Sequence, residues 1–159
     1  MRDDALTGAR VPLVDVYCVR QLGGALEALV LRRATGRSPG SWEAVHGHIE
    51  NDETPAEAAW REVIEETSLT PLRLYNLSKV ESFYMHRLGA VALVPVFVAF
   101  LPPELSVELS HEHDASEWLS IGLAREQFSW PRSRRALDDL LELLGSGDAG
   151  VLEDVLRVR

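Results

Sequence analysis

The chain has 159 residues, 46% of them hydrophobic, and one cysteine, Cys18, which suits one domain with a sizeable core and excludes both a disordered chain and an internal disulfide. Its net charge of −9 excludes a broad basic face, so no nucleic-acid partner is expected. The opening Met-Arg-Asp-Asp carries no apolar signal core, and the most apolar run, 90–101, is too short for a bilayer and holds Pro95, so the expectation is no membrane partner and a cytoplasmic location.

In chain order, residues 1–10 read as a loose arm, 11–145 as the domain and 146–159 as a tail. Residues 11–20 are apolar on both faces apart from Asp15, the pattern of a buried central strand. A turn from Gln21 to Gly24 leads to a partner strand at 26–33, which ends in Arg32 and Arg33, and the Gly-, Pro- and Ser-rich segment 34–41 is a loop. A short strand at 42–47 feeds a helix. Thr54 is a good N-cap, Pro55 suits the first helical position and Glu57 completes a capping box, so this helix is expected from about Pro55 to Thr67. Segment 71–85 reads as one long or two short strands, and 91–101, ended by Pro102 and Pro103, is the strongest strand signal. Segment 110–120 carries His111, Glu112 and His113, with a strand end at Glu117 to Leu119. Residues 121–127 form a short helix or turn. Pro131 opens a helix to about Leu144, with Leu137, Leu140, Leu141 and Leu144 on one face, and Gly145 to Gly147 stop it. In the tail, Val151, Leu152, Val155 and Leu156 recur at helical spacing and suit docking on the domain or on a second subunit. Strands mixed with two main helices imply an α/β sandwich.

The helix at 55–67 poses the chemical question. Glu53, Glu57, Glu62, Glu65 and Glu66 crowd one stretch, although clustered like charges repel. On a wheel turning roughly 100° per residue, Glu62, Glu65 and Glu66 fall on one stripe and Ala56, Ala59, Trp60, Val63 and Ile64 on the facing one, the expected core side. The acids sit at the negative pole of the helix dipole, with no Lys or Arg at 69 or 70. They are either a solvated face or the ligands of a hard cation such as Mg²⁺, which takes carboxylate oxygens and keeps waters for phosphate substrates.

The spacing from Gly47 to Leu69 is Gly, five residues, Glu53, seven residues, Arg61-Glu62, two residues, Glu65-Glu66, one residue, Ser68, Leu69. It resembles the Nudix box of the Nudix hydrolases, with Ser68 where the family usually has Gly. That departure touches only the helix exit, a position where glycine's left-handed backbone is favoured. The resemblance implies a Nudix-type α/β/α sandwich with a mixed central sheet. It also implies metal-dependent hydrolysis of a phosphoanhydride in a nucleoside-diphosphate-linked compound, with Mg²⁺ as cofactor and Mn²⁺ as a substitute. Glu62, Glu65 and Glu66 would hold the metal, Glu53 would belong to the outer acidic cluster, Arg61 would fix the ligands' rotamers, and Gly47 would let the backbone approach metal or phosphate. The ordinary alternatives are a surface ion pair for Arg61 and a strand bend for Gly47.

Outside the box, His111 to Leu119 is similar to a segment of the dihydroneopterin triphosphate diphosphatase branch, as is Trp42, five residues before Gly47. By that likeness Glu112 is a further metal ligand or the general base, the alternative being a solvated loop acid. His111 and His113 read as exposed polar loop residues, with ligation, or a phosphate contact for His113, as the functional alternative. Arg32 and Arg33 suit phosphate contact or a surface ion pair. Trp42, Phe83 and Tyr84 suit base stacking or the core. Arg132, Arg134 and Arg135 read as a solvated basic face, with contact to a substrate phosphate as the alternative.

The expected substrate is a small (deoxy)nucleoside or pterin triphosphate, split to monophosphate and pyrophosphate by a monomer or homodimer. A dinucleoside polyphosphate or ADP-ribose hydrolase is the alternative, the latter disfavoured because no proline occurs from 72 to 94. A non-catalytic Nudix-fold ligand sensor is the third reading, against which the full set of box acids stands.

Overall fold

The structure, a computed structural model, describes residues 8–159. Its centre is a parallel pair, β2 (Leu13–Leu22) and β7 (Ala90–Phe100), joined in register from Asp15↔Val96 to Val19↔Phe100. Leu13 to Val19 are all buried, as the near-continuous apolar run requires. Their side chains alternate between two layers. Tyr17 and Val19 enter one core with Phe128, Leu137, Leu140 and Leu144; Val14, Val16 and Cys18 enter another with Ala58, Ala59 and Val63. Helices therefore cover both faces of a mixed sheet, the expected α/β/α sandwich.

β3 (Ala25–Arg33) returns antiparallel from the Gly23–Gly24 turn but pairs with β2 only from Val19↔Ala28 to Leu22↔Ala25. Beyond that the strands part, and the chain expected as a single strand at 42–47 divides to serve both. β4 (Trp42–Glu43) pairs with β3, and β5 (Val45–His48) pairs with β2, with Val14 opposite Gly47. The far side of β3 is taken by β8 (His113–Ser120), whose pairing slips between Arg32 and Arg33. β6 (Arg73–Met85) is one strand along β7, irregular between Asn76 and Val80. Residues 1–7 of the expected arm lie outside the described residues; Gly8–Arg10 form β1, parallel to β7.

α1 (Pro55–Thr67) begins with the expected capping box: Thr54 Oγ1 accepts from Glu57 N–H at 3.2 Å and Glu57 Oε2 accepts from Thr54 N–H at 2.8 Å. Its buried face differs from the hydropathy wheel. Ile64 is 37% exposed, whereas Glu62 and Glu66 are buried beside Ala59 and Val63. A wheel scored by polarity turns acids outward; the packing turns two of them in.

On the other face lie α2 (Ile121–Gln127) and α3 (Pro131–Leu144). The tail docks on its own domain. A 3₁₀ turn (Gly150–Leu152) and α4 (Glu153–Leu156) bury Leu156, Tyr75 Oη donates to Glu153 Oε1 at 2.9 Å, and Val158 N–H donates to Leu74 O at 2.8 Å along the β6 edge.

Ser68 closes α1 in the left-handed region (φ 61°, ψ 18°), and its hydroxyl donates to Glu108 O at 3.1 Å. Glycine would relieve about 1 kcal/mol of backbone cost but lose that hydrogen bond and raise unfolded-chain entropy. Ser68→Gly is accordingly expected to change unfolding free energy by less than about 1 kcal/mol in urea titration, with the helix exit intact.

Candidate functional site

The inward acids of α1 meet the start of β8. Glu66 is 2% exposed, and among the described residues neither of its carboxylate oxygens has a hydrogen-bond partner. Glu66, Glu112 and His113 each offer a ligand atom, all within 4.8 Å of one another. Burial, then the charges of Glu112 and Glu62, push the Glu66 carboxyl up to about 10. Burial also raises Glu62, against the lowering effect of Arg61. A carboxylate held dry beside two others is costly unless a cation joins it. Gly47 makes the close approach possible: a Cβ there would collide with the Glu62 carboxyl.

Arg61 organises the outer acids. Its Nε and Nη2 donate to the two oxygens of Glu53 at 2.7 and 2.8 Å, Nη1 donates to Glu62 at 2.8 Å and to Glu65 at 3.2 Å, and Nη2 also donates to His48 O at 2.8 Å. The hydrogen bonds from Arg61 hold Glu53 at about 2, well below the usual carboxylate range. Arg61 is thus spent on Glu53, Glu62 and Glu65, and no hydrogen bond or ion pair joins it to Glu66. Of the three acids that accept hydrogen bonds from Arg61, Glu65 is the most open, with 55% of its side chain exposed.

These groups border a cleft of about 220 Å³ shared by Glu62, Glu65, Arg61, Gly47, Glu112, Arg33, His46, His48 and Glu50. Of the two strand-end arginines, only Arg33 enters it; its Nη1 donates to Glu43 Oε1 at 3.0 Å. Arg32, on the alternate face, pairs with Asp114 at 2.7 Å and lies 5.8 Å from the Trp42 ring, and neither Arg32 nor Trp42 lines the cleft. Tyr84 is exposed and Phe83 half-buried.

Two expectations are corrected. His113 is not an exposed loop residue: it is 5% exposed, with Nε2 3.0 Å from Glu43 Oε1. The slipped register opposite Arg32 and Arg33 turns it inward. Arg132 is not on a solvated face. Its Nε donates to Asp15 Oδ2 at 3.1 Å, and its guanidinium lies 5.3 Å from the Trp130 ring and 5.5 Å from that of Phe83. Asp15 also takes His46 Nδ1 at 2.5 Å. Burial alone would raise Asp15, but His46 and Arg132 outweigh it and hold the group below its ordinary value. The lone acid in an apolar strand was the legible sign of this cluster; His46 and Glu43 carried none.

The chain belongs to the NUDIX domain family, whose model matches residues 10–140. It is 26% identical to a C. elegans Ap4A hydrolase solved as a binary complex (TM-score 0.72, 85% of this chain and 98% of that one). It is 25% identical to the E. coli dihydroneopterin triphosphate pyrophosphohydrolase (TM-score 0.66, 84% and 99%). A Myxococcus xanthus protein named octanoyltransferase is 32% identical over 126 residues, 78% of this chain, which spans only 35% of that relative's length. No helix among the described residues is long and apolar enough to cross a membrane.

Nudix hydrolases use divalent metal ions, and the residues here fit one: partnerless buried oxygens on Glu66 meet further oxygen donors on Glu112.

Two outcomes follow from this geometry. Gly47→Ala should displace Glu62 and lower turnover at least about tenfold, with circular dichroism unchanged; a wild-type rate would show that the close approach is dispensable. Glu53 has a folded pKa below its unfolded one, so its stabilisation is complete above about pH 4.5 and fades as pH falls toward about 2. The stability gap between wild type and Glu53→Gln, measured by denaturant titration, should therefore stay level from pH 6 to about pH 5 and narrow from about pH 4.5 to pH 3.

Proposed function

We propose that this chain is a divalent-metal-dependent pyrophosphohydrolase of a small (deoxy)nucleoside or pterin triphosphate, releasing monophosphate and pyrophosphate. The observation that carries the reading is the inward turn of Glu62 and Glu66 toward Glu112 beside Gly47. Glu62, Glu65, Glu66 and Glu112 hold the cation, Mg²⁺ with Mn²⁺ as a substitute. When bound, divalent ions offset the anhydride's negative charge and make water more acidic.

The chain's own residues do the rest. Water attacks phosphorus, the bridging P–O bond breaks, and pyrophosphate leaves with the bond's electrons. Glu65, the open member of the cluster, accepts the water's proton, with Glu112 as the other available base. Arg61 keeps Glu62 and Glu65 in place through its hydrogen bonds. Arg33 and the Gly47 backbone meet the phosphates, and Arg32 with Trp42 forms an outer rim for the rest of the substrate. The likeness to the dihydroneopterin triphosphate enzyme supports the triphosphate reading. The likeness to the Ap4A hydrolase supports a second one, a dinucleoside polyphosphate substrate.

A panel of the four dNTPs, dihydroneopterin triphosphate, a diadenosine polyphosphate and ADP-ribose, with Mg²⁺ and with EDTA, decides between them. Pyrophosphate release from one triphosphate, abolished by EDTA, is the expected result; release of a nucleoside triphosphate from the dinucleotide alone would select the second reading. Glu65→Gln should lower the rate by about 10²-fold or more, and an unchanged rate would remove Glu65 from catalysis.

A further inference from the structure

We propose that His113 is a nitrogen ligand of the bound cation, set in place by Glu43. This rests on the metal-site reading above and changes the kind of site it is. The imidazole is enclosed, with 1% of its side chain exposed, and its two nitrogens face different partners. Nε2 lies 3.0 Å from Glu43 Oε1, which also accepts from Arg33 Nη1 at 3.0 Å. A carboxylate only accepts, so Nε2 is the nitrogen placed to donate to Glu43, and Nδ1 is the one turned toward the α1 acids. Among the described residues Nδ1 has no hydrogen-bond partner. It faces Glu66 Oε2, equally without a partner, at 3.6 Å.

That separation is too long for a hydrogen bond. It suits two ligands of one ion, since donors each about 2.0–2.2 Å from a metal stand roughly 3–4 Å apart. Glu112 supplies a third donor within 4.8 Å of the others. A histidine whose far nitrogen donates to a carboxylate while its near nitrogen is bare is the usual state of a metal-binding imidazole. The slip in β8 pairing beside Arg33 turns His113 toward the α1 acids. A mixed nitrogen and oxygen set favours Mn²⁺ and later transition ions over Mg²⁺, whose preference is for oxygen alone.

The test uses the full chain stripped of metal and titrated with Mn²⁺ or Mg²⁺ by calorimetry, with pulsed electron paramagnetic resonance on the Mn²⁺ form. Wild type should show nitrogen hyperfine coupling that changes when its histidines carry the heavier nitrogen isotope. His113→Gln should lose the coupling and bind Mn²⁺ about 10–100-fold more weakly, with Mg²⁺ affinity changed less than about threefold. Glu43→Gln should keep the coupling and weaken Mn²⁺ binding. Mn²⁺ bound to wild type without nitrogen coupling would overturn the proposal and leave a carboxylate-only site standing. Coupling that survives in His113→Gln would assign it to another histidine and also overturn it. Should that variant not fold, His46→Gln, His48→Gln, His86→Gln and His111→Gln decide by elimination: coupling kept in all four supports His113, and coupling lost in any one overturns it. No Mn²⁺ binding at all would sink this proposal together with the metal-site reading.

Discussion

The site depends on a carboxylate that the fold buries without an internal counter-charge. Arg61 brings one positive charge to Glu53, Glu62 and Glu65, and its geometry is used up on them. Glu66 sits one helical turn beyond Glu62, dry, with Glu112 the charge that acts on it most strongly and no hydrogen bond of its own among the described residues. Protonation relieves such a group when nothing else is bound, which is why its carboxyl is pushed so far upward. A cation would do the same, joining a buried acid that lacks a hydrogen-bond partner among the described residues to the ligand the proposed reaction needs. Under the metal-site reading proposed above, stability given up at Glu66 would be recovered on binding, in proportion to the logarithm of metal concentration.

Backbone irregularities deliver the partners. β2 and β3 part after four paired residues, and the gap admits β5, whose Gly47 lets Glu62 lie against the strand. On the other flank the slip between β3 and β8 turns His113 beneath Glu66 and brings Glu112 to the mouth of the cleft. Regular strands through either place would project alternate side chains on a fixed period and would not converge on a helix from two sides.

This explains what could be read in advance. The extent of α1 was legible because Thr54, Pro55 and Glu57 are local devices with local consequences. The buried character of β2 was legible from its composition, and Asp15 stood out within it. The inward turn of Glu62 and Glu66 was not, because hydropathy alone places acids in water; only the long spacing back to Gly47 hinted otherwise. His113 and Arg132 were misplaced for a related reason. Each is buried by contacts far along the chain, with Glu43 and Asp15 respectively, and residues 70 and 117 positions apart leave no periodic trace.

The charge distribution then bears on the substrate. A chain of net charge −9 must draw a polyanion into a cleft walled by glutamates, against its long-range field. Screening over roughly 10 Å removes most of that distant repulsion at ordinary ionic strength, so near neighbours decide. Near neighbours are arranged asymmetrically. Arg33 and His46 share the cleft with the acids, and behind His46 the Asp15–Arg132 pair carries the aromatic rings of Phe83 and Trp130. Under the reading proposed above, an extended phosphate ligand would meet the acids and the cation first, with Arg33 and His46 along its chain of anhydrides. Inorganic pyrophosphate would engage only the first part, so affinity should rest on the far end and chemistry on the near one.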